Sequence, residues 1–119
     1  MSIGHPDLQF IYVTTTGRIT GKPREIEIWF VESHEKLYIL AEHSLDTQWV
    51  KNIQRNPHIR VRIAGKEVDA TARILNRDLD IDAWLMAQQL AREKYKWGEG
   101  LPVEITLERK PSDPASTDE

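Results

Sequence analysis

Residues 58–74, HIRVRIAGKEVDATARI, alternate between apolar and polar side chains on both sides of a short turn. Ile59, Val61 and Ile63 form an apolar row before the turn, and a second apolar row follows it. Alternation with a period of two is typical of strands that place one face on a core. The polar rows carry opposite charges on the two sides of the turn, so cross-strand ion pairs can fix the register. The segment therefore predicts an antiparallel hairpin around Ala64-Gly65-Lys66.

The flanking segments repeat this pattern and predict a mainly β chain of six strands. β-Branched and aromatic residues favour strands at 10–16, 24–32 and 36–42, and alternation favours a last strand at 101–107. An antiparallel sheet of this size loses its exposed edges when it closes, which favours a small β-barrel. An open α+β sheet is the alternative that the pattern leaves open.

Two segments change to a helical period. Apolar residues recur every four positions from Leu45 to Ile53, and Asn56-Pro57 ends this short helix because a residue before proline avoids helical backbone. A broad apolar band that follows three aspartates predicts a longer helix from about residue 80 to Lys94. Both helices interrupt the succession of strands.

Length and composition bound the class of protein. The 119 residues suffice for one domain, which we expect over 1–109, followed by a disordered tail over 110–119, KPSDPASTDE. A net charge of -3 argues against a general nucleic-acid binder. No segment approaches the roughly 20 apolar residues of a membrane helix, so we expect a cytoplasmic protein without a membrane partner.

The same composition limits the chemistry. The absence of cysteine excludes disulfides, thiolate metal sites and a cysteine nucleophile. The four histidines show no metal-ligand spacing, and serine and threonine never occur in a nucleophile-elbow context. We therefore predict no metal site and no hydrolase.

The loop at 14–25, TTTGRITGKPRE, combines two glycines with three cations, Arg18, Lys22 and Arg24, and has no acid before Glu25. Glycine lets backbone N–H groups approach a ligand closely, and guanidinium groups bind phosphate or carboxylate through paired hydrogen bonds. An anion-binding loop is one interpretation. A solvated hairpin turn is the other, because Gly, Pro and Lys are ordinary turn residues.

Five motifs follow one another in a fixed order: TTTGR-x-TG-K-PR, an alternating strand ending in Trp-Phe, a helix with W-V-K-N-I-x-R-N-P, a strand H-I-R-V, and EKYKWGEGLPV at 93–103. This order, from about Ile11 to Leu107, resembles the deazaflavin-dependent nitroreductase family. The resemblance implies a six-stranded split β-barrel with Greek-key connections, like that of FMN-binding flavin reductases and pyridoxamine-phosphate oxidases. It also implies a homodimer.

The resemblance further implies an oxidoreductase that moves hydride from reduced deazaflavin coenzyme F-420 to a small-molecule quinone, nitroaromatic or enone acceptor. The coenzyme itself carries the reactive atom, so no catalytic constellation is needed in the chain. Two alternatives remain: an FMN-dependent split-barrel oxidoreductase, and a flavin carrier without catalytic activity.

Site residues carry over position by position. Arg18, Lys22 and Arg24 would hold the phosphate and glutamate tail of the coenzyme. The rest of the predicted coenzyme site consists of Thr15, Thr16, Gly17, Gly21, Ala41, Glu42, Trp49 and Asn52. Tyr95 is the first candidate to donate a proton or hydrogen bond to the acceptor, followed by Ser44 and His43. Packing in the core is the alternative role for Trp49, and a hydroxyl in water is the alternative for Tyr95.

This chain departs from the family pattern at two places. Many relatives carry a proline where Glu27 stands and a glycine-rich stretch where residues 42–45 stand. The larger side chains at 42–45 would narrow the pocket for the flavin ring. Glu25 and Glu27 bring negative charge close to the predicted phosphate site unless they point away from it.

Overall fold

The computed structural model describes residues 8–108, which form seven strands and two α-helices. The elements in chain order are β1 (Phe10–Thr16), β2 (Pro23–Trp29), β3 (Val31–Ser33), β4 (Lys36–Ala41), a 3-10 turn (Ser44–Asp46), α1 (Gln48–Arg55), β5 (His58–Ile63), β6 (Lys66–Ile74), α2 (Ile81–Tyr95) and β7 (Leu101–Leu107). The tail predicted at 110–119 lies outside the described residues.

All seven strands belong to one antiparallel sheet with the order β2-β1-β5-β6-β7-β4-β3. The hairpin predicted from the sequence lies at its centre, with Arg62 opposite Glu67 and Arg60 opposite Asp69. The two edge strands, β2 and β3, are separated in the chain by Phe30 alone. Both edges therefore meet at one residue, and the sheet must curl into a half-closed barrel. This geometry decides between the barrel and the open sheet in favour of the predicted split barrel.

The predicted strand at 24–32 is two strands, which raises the strand count from six to seven. The break falls at Phe30, whose backbone groups leave the ladder and bind side chains of α2. Its N–H donates to Tyr95 Oη at 3.1 Å, and its carbonyl accepts from Tyr95 Oη at 2.9 Å and from Lys94 Nζ at 3.0 Å. A backbone that finds side-chain partners of this kind needs no neighbouring strand.

The apolar residues of the alternating strands fill the interior of the barrel, as the sequence predicts. The fully buried ones come from β1, β4, β5 and β7 and include Ile11, Val13, Leu37, Ile39, Ile59, Val61, Val103 and Ile105. Helix α1 packs against β1 and β6 and buries Val50 and Ile53, whereas α2 packs against β3, β4 and β7 and buries Ala87 and Ala91. Each helix thus closes a different part of the curled sheet.

The segment after α2 returns along the helix at very short range. The left-handed residue that ends the helix is Lys96, with a φ of 66°, although glycine is the usual residue in this conformation and Gly98 follows two positions later. Gly98 instead allows close packing, because a Cβ placed there would lie 2.2 Å from the carbonyl oxygen of Gln88. Gly100 plays the same part against β4, where a Cβ would lie 2.8 Å from the carbonyl oxygen of Ala41.

We predict that Gly98→Ala lowers the free energy of unfolding by about 1–3 kcal/mol or more, since the methyl group must displace backbone of α2. Gly65→Ala is the matched control. Its φ of 81° strains an alanine, at a cost of about 1 kcal/mol, but no atom lies within 4 Å of the added carbon. Urea denaturation of both variants measures the difference. A Gly98→Ala variant that loses no more stability than Gly65→Ala would refute the close packing.

Candidate functional site

A cavity of about 580 Å³ opens where the two edges of the sheet approach each other. Its walls come from β2, the Phe30 link, β4, the start of α1 and the end of α2. Six aromatic side chains besides Phe30 contribute to the lining: Phe10, Trp29, Tyr38, Trp49, Tyr95 and Trp97. We call this space the aromatic cavity. Its volume is in the range of small-molecule and cofactor sites.

Aromatic contacts hold one wall of this cavity in place. The rings of Trp29 and Tyr95 stack with centroids 4.4 Å apart and planes only 1° from parallel, and Trp97 meets Trp29 edge-on at 6.5 Å. Trp29 is nevertheless 48% exposed, so its ring is available to a ligand. Large rigid rings of this kind offer flat contact area to another aromatic system.

The Tyr95 hydroxyl is engaged with the main chain. It lies within hydrogen-bond distance of the N–H and the carbonyl of Phe30 and of the carbonyl of Gln9. Burial raises the pKa of this phenol above its ordinary value. Tyr95 therefore lines the cavity, while its hydroxyl bonds the main chain at the strand break.

A second phenol, Tyr38, stands on β4 behind the cavity. Its hydroxyl donates to the buried carboxylate of Glu104 at 3.0 Å, which also accepts from Arg73 Nε at 3.2 Å. Burial first, and then the bond to Glu104, raise the pKa of Tyr38 to about 12. The bond joins β4 to β7 and fixes the cavity wall formed by Tyr38.

The loop between β1 and β2, residues 17–22, carries Arg18 and Lys22 and is called the cation loop. Several of its backbone N–H groups donate hydrogen bonds within the loop itself. Gly17 N–H donates to the carbonyl of Lys22 at 2.8 Å, Gly21 N–H to the carbonyl of Gly17 at 2.8 Å, and Lys22 N–H to Thr20 Oγ1 at 3.2 Å. Gly21 has a positive φ of 73°, a conformation that glycine adopts without strain. The N–H groups of both glycines are thus bonded within the loop, so an anion would depend mainly on the side chains of the loop.

Asn52, on α1, fixes the Arg18 side chain. Its buried Oδ1 accepts from the backbone N–H of Arg18 at 3.2 Å and from Arg18 Nη1 at 2.9 Å, and its Nδ2 donates to Thr15 Oγ1 at 3.1 Å. Arg18 Nη2 donates to Gln48 Oε1 at 2.8 Å. All these partners are neutral, so the guanidinium is oriented while its charge stays uncompensated by a carboxylate within residues 8–108.

Arg18 lines a second cavity of about 440 Å³, the loop cavity, together with Thr16, Gly17, Gly21 and Arg55. Arg55 ends α1 and was not among the residues that the sequence pointed to. Lys22 and Arg24 are exposed and do not line it.

The two acids that could weaken anion binding by this loop, Glu25 and Glu27, do not line its cavity. Glu25 Oε2 lies 3.2 Å from Arg62 Nη2, on β5. Glu27 Oε1 accepts from the Tyr12 hydroxyl at 3.1 Å. Glu25 is therefore paired with a cation of β5, Glu27 lies at the aromatic cavity, and neither acid lines the loop cavity.

The other residues predicted from the sequence differ in how they stand to the two cavities. Glu42, His43, Trp49 and Tyr95 line the aromatic cavity. Ala41 and Thr15 are buried beside these sites, and Ser44 is exposed with a φ of 55° and lines neither cavity. The sequence reading missed Trp29 as a site residue, although an apolar ring in the polar row of an edge strand was a visible signal. The roles of the predicted residues stay predictions.

Within residues 8–108, no group of His, Asp and Glu side chains is arranged to hold a metal ion. None of the helices in this part of the chain combines the length and apolar character needed to cross a membrane.

A curled sheet with an aromatic cavity at its open edge and a cation loop beside it defines a split-barrel protein with a candidate cofactor site. A family model for F420H2-dependent quinone reductases matches residues 3–108, and the chain belongs to this family. The motif resemblance is thereby confirmed: the protein is an oxidoreductase of the class that uses coenzyme F-420, with FMN a secondary candidate.

Solved structures share the fold. An F420-H2 dependent reductase, FDR-A, is 29% identical, with a TM-score of 0.61 over 84% of this chain and 94% of its own. A chain described as a domain-swapped dimer is 30% identical, with a TM-score of 0.63 over 86% of this chain and 81% of its own. A candidate pyridoxamine 5′-phosphate oxidase from Listeria innocua, 17% identical, has a TM-score of 0.62 and covers 86% of each chain. The last likeness supports the fold alone.

We predict that Tyr95→Phe lowers the free energy of unfolding by about 1–2 kcal/mol, because the N–H of Phe30 loses its partner. The stack on Trp29 needs only the ring and should persist. Tyr12→Phe is the control, since its hydroxyl bonds only the exposed Glu27, and should cost less than about 0.5 kcal/mol. Urea denaturation of the parent protein and of both variants measures these losses. Equal losses of stability in the two variants would contradict the anchoring role of Tyr95.

Proposed function

We propose that this protein transfers hydride from reduced coenzyme F-420 to a small quinone, nitroaromatic or enone acceptor in the aromatic cavity. One observation supports this most: α1 presents Trp49 to the aromatic cavity and, one turn later, Asn52 to Arg18 of the loop cavity. A flat ring site thus lies one helical turn from an oriented, uncompensated cation. That pairing fits a coenzyme with a flat ring at one end and an anionic tail at the other.

The donor chemistry of the described residues fits the anionic part. Arg18 keeps its guanidinium oriented by neutral amides, and a phosphate or carboxylate would add the charge-assisted bonds that the site lacks. Lys22 and Arg24 are exposed, so their part would be a weaker, salt-sensitive attraction. Thr15 contributes through Asn52, which keeps Arg18 in place. Gly17 and Gly21 shape the loop, while Thr16 lines its cavity.

The aromatic cavity fits the ring. Trp49 would form one wall, with Ala41 and Glu42 at the end of β4 beside it. When bound, the reduced coenzyme supplies hydride from carbon 5 of its ring. The residues of this chain hold the acceptor against that face and limit the access of water. No nucleophile is required of them.

The candidates for a proton donor differ in placement. His43 lines the aromatic cavity, Tyr95 has its hydroxyl bonded to main-chain groups, and Ser44 lies outside the cavity. We therefore place His43 first, ahead of Tyr95 and Ser44. Solvent is the source of the proton if a His43→Gln variant keeps full turnover.

Titration of the purified protein with F-420 and with FMN, followed by fluorescence, tests the choice of coenzyme. We expect tighter binding of F-420, because FMN lacks the glutamate tail. Arg18→Ala should weaken F-420 binding about 10- to 100-fold, as expected for loss of a charge-assisted hydrogen bond worth about 1.5–3 kcal/mol. Lys22→Ala and Arg24→Ala should weaken it only a few-fold. Equal affinity of all three variants and the parent protein would refute the anion site.

Asn52→Asp gives a sharper version of this test. The new carboxylate can accept the same hydrogen bonds from Arg18, and the Thr15 hydroxyl, which accepts from Asn52 Nδ2 in the parent protein, can rotate to donate to it. The loop should therefore keep its position, but the carboxylate neutralises the Arg18 charge. We expect an unchanged fold by circular dichroism and a loss of F-420 affinity close to that of Arg18→Ala. Affinity equal to that of the parent protein would show that the Arg18 charge plays no part.

We propose that the protein is a homodimer. Phe10 and Trp29 are paired in register at the β1–β2 edge and are 39% and 48% exposed, and apolar surface of this kind favours association. A similar structure is described as a domain-swapped dimer. Sedimentation equilibrium at micromolar concentration should give twice the chain mass of 13.8 kDa. A Phe10→Glu variant should shift the equilibrium toward monomer, and a monomeric parent protein would refute the proposal.

A further inference from the structure

The aromatic cavity is lined by acidic side chains and by no lysine or arginine. Its lining includes the carboxylates of Glu27 and Glu42 and the imidazole of His43. Glu27 accepts a hydrogen bond from the neutral hydroxyl of Tyr12. Within residues 8–108, neither carboxylate has a lysine or arginine within ion-pair distance. Two negative charges therefore stand uncompensated beside a wall of aromatic rings.

A cation behind the aromatic wall, Lys94, is engaged by Phe30. Lys94 Nζ lies 3.0 Å from the carbonyl oxygen of Phe30 and 4.0 Å from the centre of the Phe30 ring. Burial lowers the pKa of this ammonium group, and the charge of Glu32 acts in the opposite direction. The loop cavity shows the reverse distribution, because Arg18 and Arg55 line it and no acid does.

We infer that the aromatic cavity selects acceptors that are planar and either cationic or neutral, and that it disfavours acceptors carrying a carboxylate or sulfonate. Two forces point the same way. The faces of tryptophan rings attract cations, and the exposed carboxylates of Glu27 and Glu42 at the cavity repel anions, most strongly at low salt. As a statement about the electron acceptor the inference rests on the proposed function, whereas the charge preference itself is a property of the cavity.

The reaction balances with such an acceptor. A quinone gains hydride, which is two electrons and one hydrogen nucleus, and takes one proton from His43 or solvent to become the hydroquinone. The reduced coenzyme loses the hydride and releases one proton to solvent, and it is thereby oxidised. A cationic substituent on the quinone takes no part in these bonds and acts only through its charge.

The test uses three naphthoquinones that share one ring system and differ at the end of a methylene spacer: trimethylammonium, hydroxyl or sulfonate. The spacer keeps their reduction potentials close. Binding to the full chain without coenzyme is measured through quenching of tryptophan fluorescence, because Trp29, Trp49 and Trp97 line the cavity. Assays run at pH 8, above the range in which histidine side chains ordinarily take up a proton.

We expect the cationic quinone to bind about tenfold or more tightly than the anionic one at low salt, and the ratio to shrink at 0.5 M salt. Glu27→Gln and Glu42→Gln should each reduce the ratio about threefold, and the double variant should bring it close to one. Glu67→Gln is the matched control, because it removes the same charge from β6 outside the cavity. It should leave the ratio unchanged.

Turnover with reduced F-420 separates the two proposals. A ratio near one in the parent protein, or a high ratio that persists in the double variant, overturns the charge selection even if all three quinones are reduced. Conversely, a charge ratio that depends on Glu27 and Glu42 together with no reduction of any quinone refutes the proposed function and leaves the charge preference standing. Reduction with a kcat/KM in the order cationic, neutral, anionic supports both.

Discussion

The single-residue link at Phe30 is the constraint on which the rest of the structure depends. Because the two edge strands, β2 and β3, are joined by this single residue, the two edges of the sheet lie close together and the sheet must curl. Phe30 can leave the ladder because Tyr95 and Lys94 satisfy its backbone groups from α2. The cavity opens at the same place, since this is where the curled sheet fails to close. Fold and site thus share one origin.

Helix α1 organises what lies beside this opening. Two of its side chains, about one helical turn apart, contact different sites. Trp49 lines the aromatic cavity, and Asn52 binds residues of the cation loop and of β1. The charges follow the same division, with Arg18 and Arg55 on one side and Glu27 and Glu42 on the other. A ligand with a charged tail and a flat ring therefore meets a polarity that can orient it before any specific contact forms.

Much of this fold is visible in local patterns. The alternation around Gly65 places the central hairpin, and Asn56-Pro57 marks the end of α1. The strand break at Phe30 is not visible, because Ile26, Ile28 and Phe30 continue an unbroken alternation and the partners that interrupt it lie about 65 positions away. Local patterns report the period of a segment and say nothing of distant side chains that replace a ladder bond.

The site shows the same limit. The excess of cations at 17–24 is legible in the sequence, and the motif resemblance pointed to Asn52 and Trp49. The geometry that orients Arg18 is not legible, because it depends on an amide 34 positions away and on a loop whose own N–H groups are already bonded. Arg55 gave no signal, because a cation at the end of a helix has an ordinary explanation.

Tyr95 has two structural roles, and these limit which positions of such a protein can change as its sequence diverges. The same side chain anchors the bend of the main chain and supports a wall of the cavity, so few substitutions there preserve both. Trp97, Glu42 and His43 line the same cavity and supply no bond to Phe30. New substrate preferences should therefore arise by replacement at these three positions, where a change alters the ligand's surroundings and leaves the scaffold's reserve of stability untouched.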